Sequence, residues 1–323
     1  MEIYAPPQEA DSLPVIDISG PETEVAAQIR AACLDTGFFY AAGHGIAPEL
    51  VAGQFAAARR FFAVPAAEKA ALDMRHSALV CGYEALCGQV LDSQDGGTEA
   101  PPDLKEAYYC CTNLADDNPS ARSPARVVGS NQWPAGLAAE VAHPRAYGEA
   151  VQALGDRLLE LLALSLDLPR AWFSPFFAGS PAKLRFIRYP PQAADAAFNQ
   201  IGAGAHTDWG GITVLAQDEL GGLEVRDRQG RWIKATPVEG TFVINLGDLM
   251  ARWTNGVYAS NMHRVLNNAA ARDRYSMPFF YSPHDEATIA PIASCISVDN
   301  PPRFDVCSAG EHMREMFRRS YGY

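Results

Sequence analysis

The sequence comprises 323 residues, of which 48% are hydrophobic, and it carries a formal net charge of −12. This length and composition allow a sizeable core in one large or two modest domains. The acidic balance excludes the basic footprint of nucleic-acid-binding proteins and does not favour membrane surfaces, so neither partner is expected.

The amino terminus and the cysteines predict a cytoplasmic protein. Residues 1–12 lack a basic segment followed by an apolar core, which excludes a typical secretory signal. No apolar run has the length needed to span a bilayer. The seven cysteines form no CxxC pair, which favours free thiols in a reducing compartment.

Short strands and helices alternate in the first part of the chain. Residues 13–18 predict an apolar strand, and Glu22 opens a helix that Gly37 ends. Phe38 begins a second strand, and further helices follow. His44 stands between two glycines, so we interpret it as a structural turn residue and not as a ligand.

The middle of the chain combines an irregular region with the strongest predicted helix. Residues 73–134 contain scattered glycines, prolines and acids, and long irregular segments of this kind are usually functional or mobile. Residues 144–166 carry a continuous apolar stripe, which predicts a scaffold helix. An aromatic cluster follows and is interpreted as packing: Trp172, Phe173, Phe176 and Phe177.

From Lys183 onward the pattern becomes strand-like. Short apolar runs are separated by Gly, Asn and Asp turns, which predicts two packed sheets or a barrel. The predicted strands are 183–189, 211–216, 222–225, 232–234, 241–246, 262–266 and 275–281. A further strand near Ile289 and a final helix at about 310–321 complete the chain.

Three residues in this region have the chemistry of a metal site. His206 and Asp208 are two positions apart, so on a strand both side chains would project from one face. His263 lies in a second strand-like run. Two imidazoles and one carboxylate form the ligand set of non-haem Fe(II) oxygenases, which leaves one face of the metal open. A structural or hydrolytic zinc site would use the same ligand types.

A second pair of residues indicates a carboxylate-binding position. Arg274 and Ser276 are also two positions apart and would share a face of the next strand. A guanidinium can bind a carboxylate through two parallel charge-assisted hydrogen bonds, and the hydroxyl adds a third donor. The sequence therefore predicts three metal ligands with a carboxylate clamp nearby.

In this order, the motifs resemble the isopenicillin N synthase-like family of Fe(II)/2-oxoglutarate-dependent oxygenases. The resemblance covers roughly residues 12–283. It rests on the segments 13–17, 37–45, 184–191, 204–210, 245–248, 260–265 and 274–276. It implies a mainly β fold with flanking helices, in which a double-stranded β-helix (jelly-roll) core is buttressed by α-helices. The expected organisation is a single oxygenase domain over residues 1–323, with an amino-terminal module at about 12–110 and the core at about 180–283.

The resemblance also implies cofactors and roles. Fe(II) would be held by His206, Asp208 and His263, and 2-oxoglutarate would chelate it. Arg274 and Ser276 would bind the distal carboxylate of the keto acid, together with Tyr189. Many family members carry Asn two positions before that tyrosine, whereas this chain has Ile187, so that contact is missing or replaced.

The implied reaction consumes O2 and 2-oxoglutarate, releases succinate and CO2, and oxidises a small molecule by hydroxylation, desaturation or ring closure. The sequence does not identify that substrate, and a monomer and a homodimer are both compatible with it. Region 73–134 is expected to contribute to the substrate pocket. Four further wall residues are expected from adjacency alone: Phe186, Trp209, Leu223 and Phe280.

Two other functions remain open from the sequence. Isopenicillin N synthase itself uses a similar triad and a similar Arg-x-Ser but takes no 2-oxoglutarate, so a direct Fe(II) oxidase is one alternative. A non-catalytic binding protein on the same fold is the other, because fold does not fix function.

Overall fold

The computed structural model of the chain describes residues 13–77, 81–91, 101–111, 131, 133–140, 142–180, 182–192, 200–266 and 271–321. The α-helices in these ranges are α1 (Glu22–Asp35), α2 (Pro48–Ala63), α3 (Ala66–Ala70), α4 (Ala142–Ser165), α5 (Ser174–Phe177), α6 (Asp248–Trp253) and α7 (Ala309–Tyr321). The longer helices agree closely with the apolar periodicity of the sequence.

The strands follow the same chain order. They are β1 (Val15–Asp17), β2 (Phe38–Ala42), β3 (Gly82–Glu84), β4 (Glu106–Cys111), β5 (Ala182–Tyr189), β6 (Ala203–His206), β7 (Ile212–Gln217), β8 (Leu223–Arg226), β9 (Trp232–Lys234), β10 (Phe242–Leu246), β11 (His263–Val265), β12 (Arg274–Tyr281), β13 (Thr288–Ile289) and β14 (Cys307–Ser308). All of the strands predicted beyond Lys183 are present within one or two residues of the expected bounds.

Two sheets pack face to face and form the core. The larger sheet has the order β1-β2-β10-β7-β12-β5-β4-β3, and the smaller has the order β6-β11-β8-β9. Between them lies an apolar cluster to which both sheets contribute, including Ile187 and Val243 from the larger sheet and Val225 from the smaller. This arrangement confirms the two packed sheets that the strand pattern predicts and the jelly-roll core with flanking helices that the family resemblance implies.

The alternation of side chains along β12 explains how one strand serves both the core and the site. Arg274 and Ser276 face the space between the two sheets. Tyr275, Met277 and Phe279 face the opposite side, where they join the cluster beneath the helices. Successive side chains of a strand point to opposite faces, so the two-residue spacing of arginine and serine places both in one cavity.

The outer face of the larger sheet is covered by α1, α2 and α4. Ile29, Phe61 and Leu158 come from these three helices and are fully buried in one cluster. Burial of each such side chain contributes about 1.5–3 kcal/mol. The helices therefore cover one face of the large sheet, and its other face is directed toward the small sheet.

One expectation about local structure is wrong. β6 ends at His206, so Asp208 lies in the following loop and not on the strand. Asp248 is the first residue of α6. The backbone N–H groups of Asp248 and Leu249 donate to the carbonyls of Asp208 and Gly210, so the loop is organised by tertiary contacts.

The structure contains both free and disulfide-bonded cysteines, whereas the sequence predicted free thiols. Cys81 is disulfide-bonded, so the expectation of free thiols is wrong at this position. The lack of a CxxC pair says nothing about bridges between more widely spaced cysteines. Free thiols occur at Cys33, Cys87, Cys110, Cys295 and Cys307.

In the part of the chain that the structure describes, none of the helices has the length and apolar character needed to cross a bilayer.

The aromatic cluster before β5 packs around Trp253, which supports its interpretation as core. Phe173 is 1% exposed, and its ring centroid lies 5.4 Å from that of Trp253. Phe173→Ala is expected to lower the free energy of unfolding by about 3–5 kcal/mol, because it leaves a cavity. Chemical denaturation measures this loss, and the half-buried Phe176→Ala is the milder control. A change in ligand affinity with unchanged stability would contradict the packing role.

Candidate metal centre and adjoining cavities

Antiparallel pairing of two short strands brings the two histidines together. His206 ends β6, His263 begins β11, and the two are direct partners in the register of these strands. Their ring centroids are 4.2 Å apart. Asp208 Oδ1 lies 3.7 Å from His263 Nε2, and one ligand atom from each of the three residues lies within 4.8 Å of the others. The structure therefore assembles the three residues that the sequence singled out.

Hydrogen bonds orient both imidazoles. His206 Nδ1 lies 2.8 Å from the carbonyl oxygen of Gly204, and His263 Nδ1 lies 3.3 Å from that of Asn261. A carbonyl only accepts, so these contacts assign the ring proton to Nδ1. The Nε2 lone pair of each ring is then available to a metal.

Only one of the two carboxylate oxygens of Asp208 accepts hydrogen bonds from described side chains. Its Oδ2 accepts hydrogen bonds from Thr213 Oγ1 (2.5 Å) and Asn245 Nδ2 (2.7 Å), both buried. Oδ1 therefore remains as the ligand atom. Burial alone raises the pKa of Asp208, but His263, His206 and the two hydrogen bonds outweigh it and leave the pKa below its ordinary value. Burial and the nearby His263 lower the pKa of His206 to about 3, so the ring is neutral, as a ligand must be.

Asp248 links the two loops that carry the ligands. Its carboxylate accepts from Ser260 Oγ (2.7 Å) and Thr207 Oγ1 (3.2 Å), and its backbone N–H donates to the Asp208 carbonyl (2.8 Å). Burial raises the pKa of Asp248. Asp248 thus fixes the position of the ligand-bearing loops.

An inner cavity of about 560 Å³ lies between the sheets and contains all three side chains of the triad. Arg274, 2% exposed, lines it together with Ser276. The Arg274 guanidinium stacks over the Tyr189 ring at 4.6 Å, and its Nε donates to the Gly221 carbonyl. Its Nη1 is buried and has no hydrogen-bond partner among the residues that the structure describes. An unpaired buried guanidinium nitrogen is costly, which indicates that a ligand completes it.

The charges lining this cavity fit a divalent metal with a dianionic keto acid. With the histidines counted as neutral, the negative charge of Asp208 balances the positive charge of Arg274. The other two cations, Lys105 and Arg185, each form an ion pair with a buried carboxylate. Fe(II) and 2-oxoglutarate also sum to zero charge, so adding both leaves no uncompensated charge in the interior. The donor atoms, the unpaired arginine nitrogen and the charge balance all fit this pair.

A second, wider cleft of about 920 Å³ adjoins the triad through His206 and Asp208. Trp209 and Phe280 line it, as expected from the sequence, and α7 contributes Met313 and Phe317. The rings of Trp209 and Phe317 meet edge to face with centroids 5.2 Å apart. The carboxy-terminal helix therefore forms one wall of the cleft.

Two other expected wall residues lie elsewhere. Leu223 lines the inner cavity and not the cleft. Phe186 is fully buried on the helix side of β5, with its ring 6.0 Å from that of Tyr108, so its assignment to the substrate wall is wrong. Alternation along the strand gives the reason: Arg185 and Ile187 face the cavity, so the residue between them cannot.

Three contributors to the site were not assigned such roles from the sequence. Thr213 and Asn245 approach Asp208 from β7 and β10, neighbouring strands of the large sheet, and Lys105 lines the inner cavity. The motif around Asn245 and the segment preceding β4 were visible, but their side-chain contacts depend on strand register. The wall formed by α7 depends on how the helix packs, and no local signal encodes that.

Two protein-family models match the sequence. Residues 13–136 match the amino-terminal model described as "non-haem dioxygenase in morphine synthesis N-terminal". Residues 181–283 match the model of the "2OG-Fe(II) oxygenase superfamily". The second match contains every residue of the proposed metal and carboxylate positions. The two matches follow the order of the motifs in the chain.

Curated relatives and solved structures agree with these matches. The 2-oxoglutarate-Fe(II) type oxidoreductase hxnY of Emericella nidulans is 37% identical, with 96% of this chain and 90% of that protein covered. The 2-oxoglutarate-dependent dioxygenase citB of Monascus ruber is 36% identical, with 96% and 95% covered. A full-length Neurospora crassa protein, solved in complex with alpha-KG and thymine, superposes with a TM-score of 0.84 at 26% identity, covering 97% of this chain and 98% of that protein.

These relatives agree with the expected 2-oxoglutarate-dependent oxygenase. They do not support the two alternatives, a direct Fe(II) oxidase and a non-catalytic binding protein. Their names or bound ligands specify 2-oxoglutarate, and the likeness extends over nearly the whole chain. The protein is therefore an enzyme that uses Fe(II), 2-oxoglutarate and O2, and the chain belongs to the 2OG-Fe(II) oxygenase superfamily.

Proposed function

We propose that His206, Asp208 and His263 are the Fe(II) ligands of this dioxygenase. The support is the convergence of two Nε2 atoms and one carboxylate oxygen, each oriented by a hydrogen bond to its other polar atom. Bound there, Fe(II) supplies the oxidative decarboxylation of 2-oxoglutarate to succinate and CO2 and the oxidation of the small-molecule substrate. The chain contributes the ligand geometry and a cavity between the two sheets that the triad lines.

We further propose that Arg274, Ser276 and Tyr189 bind the distal carboxylate of 2-oxoglutarate. The observation that carries this assignment is the unpaired, buried Nη1 of Arg274 in the cavity that contains the triad. Ser276 occupies the same face of β12, and Tyr189 is the register partner of Arg274 on β5. The ring of Tyr189 also stacks on the Arg274 guanidinium and so fixes its plane.

The wider cleft is the proposed substrate site. It meets the metal position at His206 and Asp208, and its walls combine aromatic side chains with the cations Lys183 and Arg185. The likeness to the Neurospora crassa protein that was solved with thymine supports a small organic molecule as the occupant. We also propose one oxygenase domain for the chain, supported by the large sheet that joins strands from both halves. Cytoplasmic location stays a prediction from the sequence.

A structure of the protein with Mn(II), a redox-inert substitute for Fe(II), and 2-oxoglutarate tests both assignments. We expect an anomalous peak in contact with His206 Nε2, Asp208 Oδ1 and His263 Nε2. The keto acid should extend from the metal to Arg274 and Ser276. A metal bound elsewhere would refute the triad, and a distal carboxylate directed away from Arg274 would refute the clamp.

The hydroxyl of Thr213 is expected to tune metal affinity through Asp208. Thr213→Val keeps the side-chain shape but removes the 2.5 Å hydrogen bond to Oδ2. Loss of such an outer contact typically costs about 10–100-fold in metal affinity. Competition with a metal-binding dye measures the change. Thr254→Val, which removes a buried hydrogen bond to the Met250 carbonyl and does not line the cavity or the cleft, is the matched control. Equal metal affinity in the two variants would contradict the role.

A further inference from the structure

Lys105 is a second buried cation in the cavity that contains Arg274. Its side chain is 2% exposed, and it lies immediately before β4. Both cations line the inner cavity, and neither lines the wider cleft. A ligand that contacts Lys105 is therefore the occupant of the inner cavity and not the substrate in the cleft.

The register of the large sheet places Lys105 in one row with Tyr189 and Arg274. β4 pairs antiparallel with β5, and Glu106 is the partner of Arg188. One further step along this register sets Lys105 opposite Tyr189, which is itself the partner of Arg274 on β12. Directly opposed residues of neighbouring strands project from the same face of a sheet, and all three side chains of the row line the inner cavity. The two cations therefore flank the tyrosine from opposite sides.

Contacts with the small sheet place this row at the end of the cavity away from the histidines. The Leu104 N–H donates to the Ile201 carbonyl at 2.8 Å. The next residue, Gly202, packs on the Tyr189 ring, since a Cβ atom added to it would lie 2.9 Å from Cδ1 of the ring. Gly202 precedes β6 and His206 ends it, and four residues of extended chain span about 13 Å. The backbone beside Lys105 is thus anchored at the Tyr189 end.

The ammonium group of Lys105 is held by one carboxylate and retains further donors. It donates to Asp103 Oδ2, and Asp103 Oδ1 accepts the Gly204 N–H at 2.9 Å. This ion pair makes burial of the positive charge tolerable. A lysine carries three N–H donors, and among the described residues Asp103 provides its one hydrogen-bond acceptor. The other donors are available to an anion in the cavity.

The distal carboxylate of 2-oxoglutarate can accept more hydrogen bonds than Arg274 and Ser276 supply. A carboxylate has about four lone-pair sites. The Nε of Arg274 is committed to the Gly221 carbonyl, which leaves the buried Nη1 as the donor without a partner in the described part of the chain. Ser276 adds one hydroxyl from the same strand. Acceptor sites therefore remain for a donor that approaches across Tyr189.

Building on the function proposed above, we propose that Lys105 is a second cation for the distal carboxylate of 2-oxoglutarate. It donates a charge-assisted hydrogen bond from the β4 side of Tyr189, and Arg274 donates from the β12 side. No proton transfer is required of Lys105, because a charged donor is sufficient to bind and orient a carboxylate. The cavity is thereby selective for keto acids that carry a second carboxylate.

Anaerobic binding of two keto acids tests this selectivity. 2-Oxopentanoate retains the keto-acid end of 2-oxoglutarate but has a methyl group in place of the distal carboxylate. With Fe(II) bound, Kd is read from the visible charge-transfer band for each compound. Lys105→Met is expected to raise Kd for 2-oxoglutarate by about tenfold or more, the scale of one hydrogen bond to a charged group, and to leave Kd for 2-oxopentanoate unchanged. Arg274→Met is the positive control and should show the same selectivity.

Two further variants control for the buried charges. Asp103→Asn/Lys105→Met removes both members of the cavity ion pair and keeps an acceptor for Gly204, so no carboxylate is left without its cation. It should show the same selective loss as Lys105→Met. Lys69 is another buried lysine, paired with Glu106 at 2.8 Å, and it does not line the inner cavity. Lys69→Met should leave both Kd values unchanged.

A structure of the parent protein with Mn(II) and 2-oxoglutarate decides the contact even if the variants fail to fold. We expect Lys105 Nζ within about 3.2 Å of a distal carboxylate oxygen, the range of such hydrogen bonds. An ammonium group that contacts the metal-bound carboxylate, or no part of the keto acid, would overturn the proposal. Unchanged binding of 2-oxoglutarate, or equal weakening of both keto acids in the double variant, would also overturn it.

Failure of the proposed function gives a different result. In that case the parent protein shows no charge-transfer band with Fe(II) and 2-oxoglutarate, or the keto acid in the Mn(II) structure lies away from the triad and Arg274. If the parent shows the band and the keto acid extends from the triad to Arg274, only the role of Lys105 is being tested.

Discussion

Replacing His206 with alanine is expected to abolish Fe(II) binding and turnover. The variant removes one of the three donor atoms that lie within 4.8 Å of one another, and no described His, Cys, Asp or Glu outside the triad completes a comparable cluster. The rate of 2-oxoglutarate decarboxylation should fall on the order of a thousandfold or more, as when a central catalytic group is removed. Iron content after anaerobic loading and succinate release measure the two effects.

His44→Ala is the matched control for this variant. His44 Nε2 lies 3.1 Å from the Gly240 carbonyl, and its ring packs against Phe242 at 4.7 Å, away from the triad. Its replacement should leave iron content and succinate release near those of the parent. A His206→Ala protein that retains stoichiometric iron and turnover would show that the metal is held elsewhere.

Arg274→Met is expected to weaken 2-oxoglutarate while iron remains bound. The guanidinium is buried and hydrogen-bonded to Gly221, and its free nitrogen faces the cavity. Truncating one partner of a buried, hydrogen-bonded charge pair costs about 3 kcal/mol, which is roughly a 150-fold rise in Kd. The thermal stabilisation that saturating 2-oxoglutarate gives to the Fe(II) protein should diminish in parallel.

Arg264→Met separates a buried-charge effect from a binding effect. Arg264 is buried on β11, paired with Glu224 at 2.8 Å, and lies outside the inner cavity. Its loss should lower stability but leave the Kd of 2-oxoglutarate unchanged. If the Arg274 variant binds 2-oxoglutarate as tightly as the parent does, the carboxylate assignment is wrong.

The spacing of two positions between site residues predicted a shared face correctly where the residues lie on a regular strand. Arg274 and Ser276 share a face because β12 is regular along its length. The same reasoning grouped His206 with Asp208 correctly but for the wrong reason, since β6 ends at His206. The two residues converge through hydrogen bonds of the loop with α6, and such tertiary contacts are not visible in local spacing.

The fold was predictable where hydrophobic periodicity is strong, and less so where pairing partners are distant. The long helices and the strands beyond Lys183 follow their apolar patterns closely. β3 and β4 lie in the region 73–134 that looked irregular, because the pairing of β3 with β4 and of β4 with β5 defines them more than their composition does. The contribution of Phe317 to the cleft depends on the docking of α7, which the sequence pattern alone does not specify.

The most direct test of the metal centre is an anaerobic titration of the purified protein with Fe(II) and 2-oxoglutarate, followed in the visible spectrum. We expect a weak charge-transfer band that appears only when both ligands are present, saturates at one equivalent of each, and is lost in His206→Ala. Iron binding without such a band would contradict the proposed chelation of the keto acid at this site. A protein that binds no iron would contradict the metal centre itself.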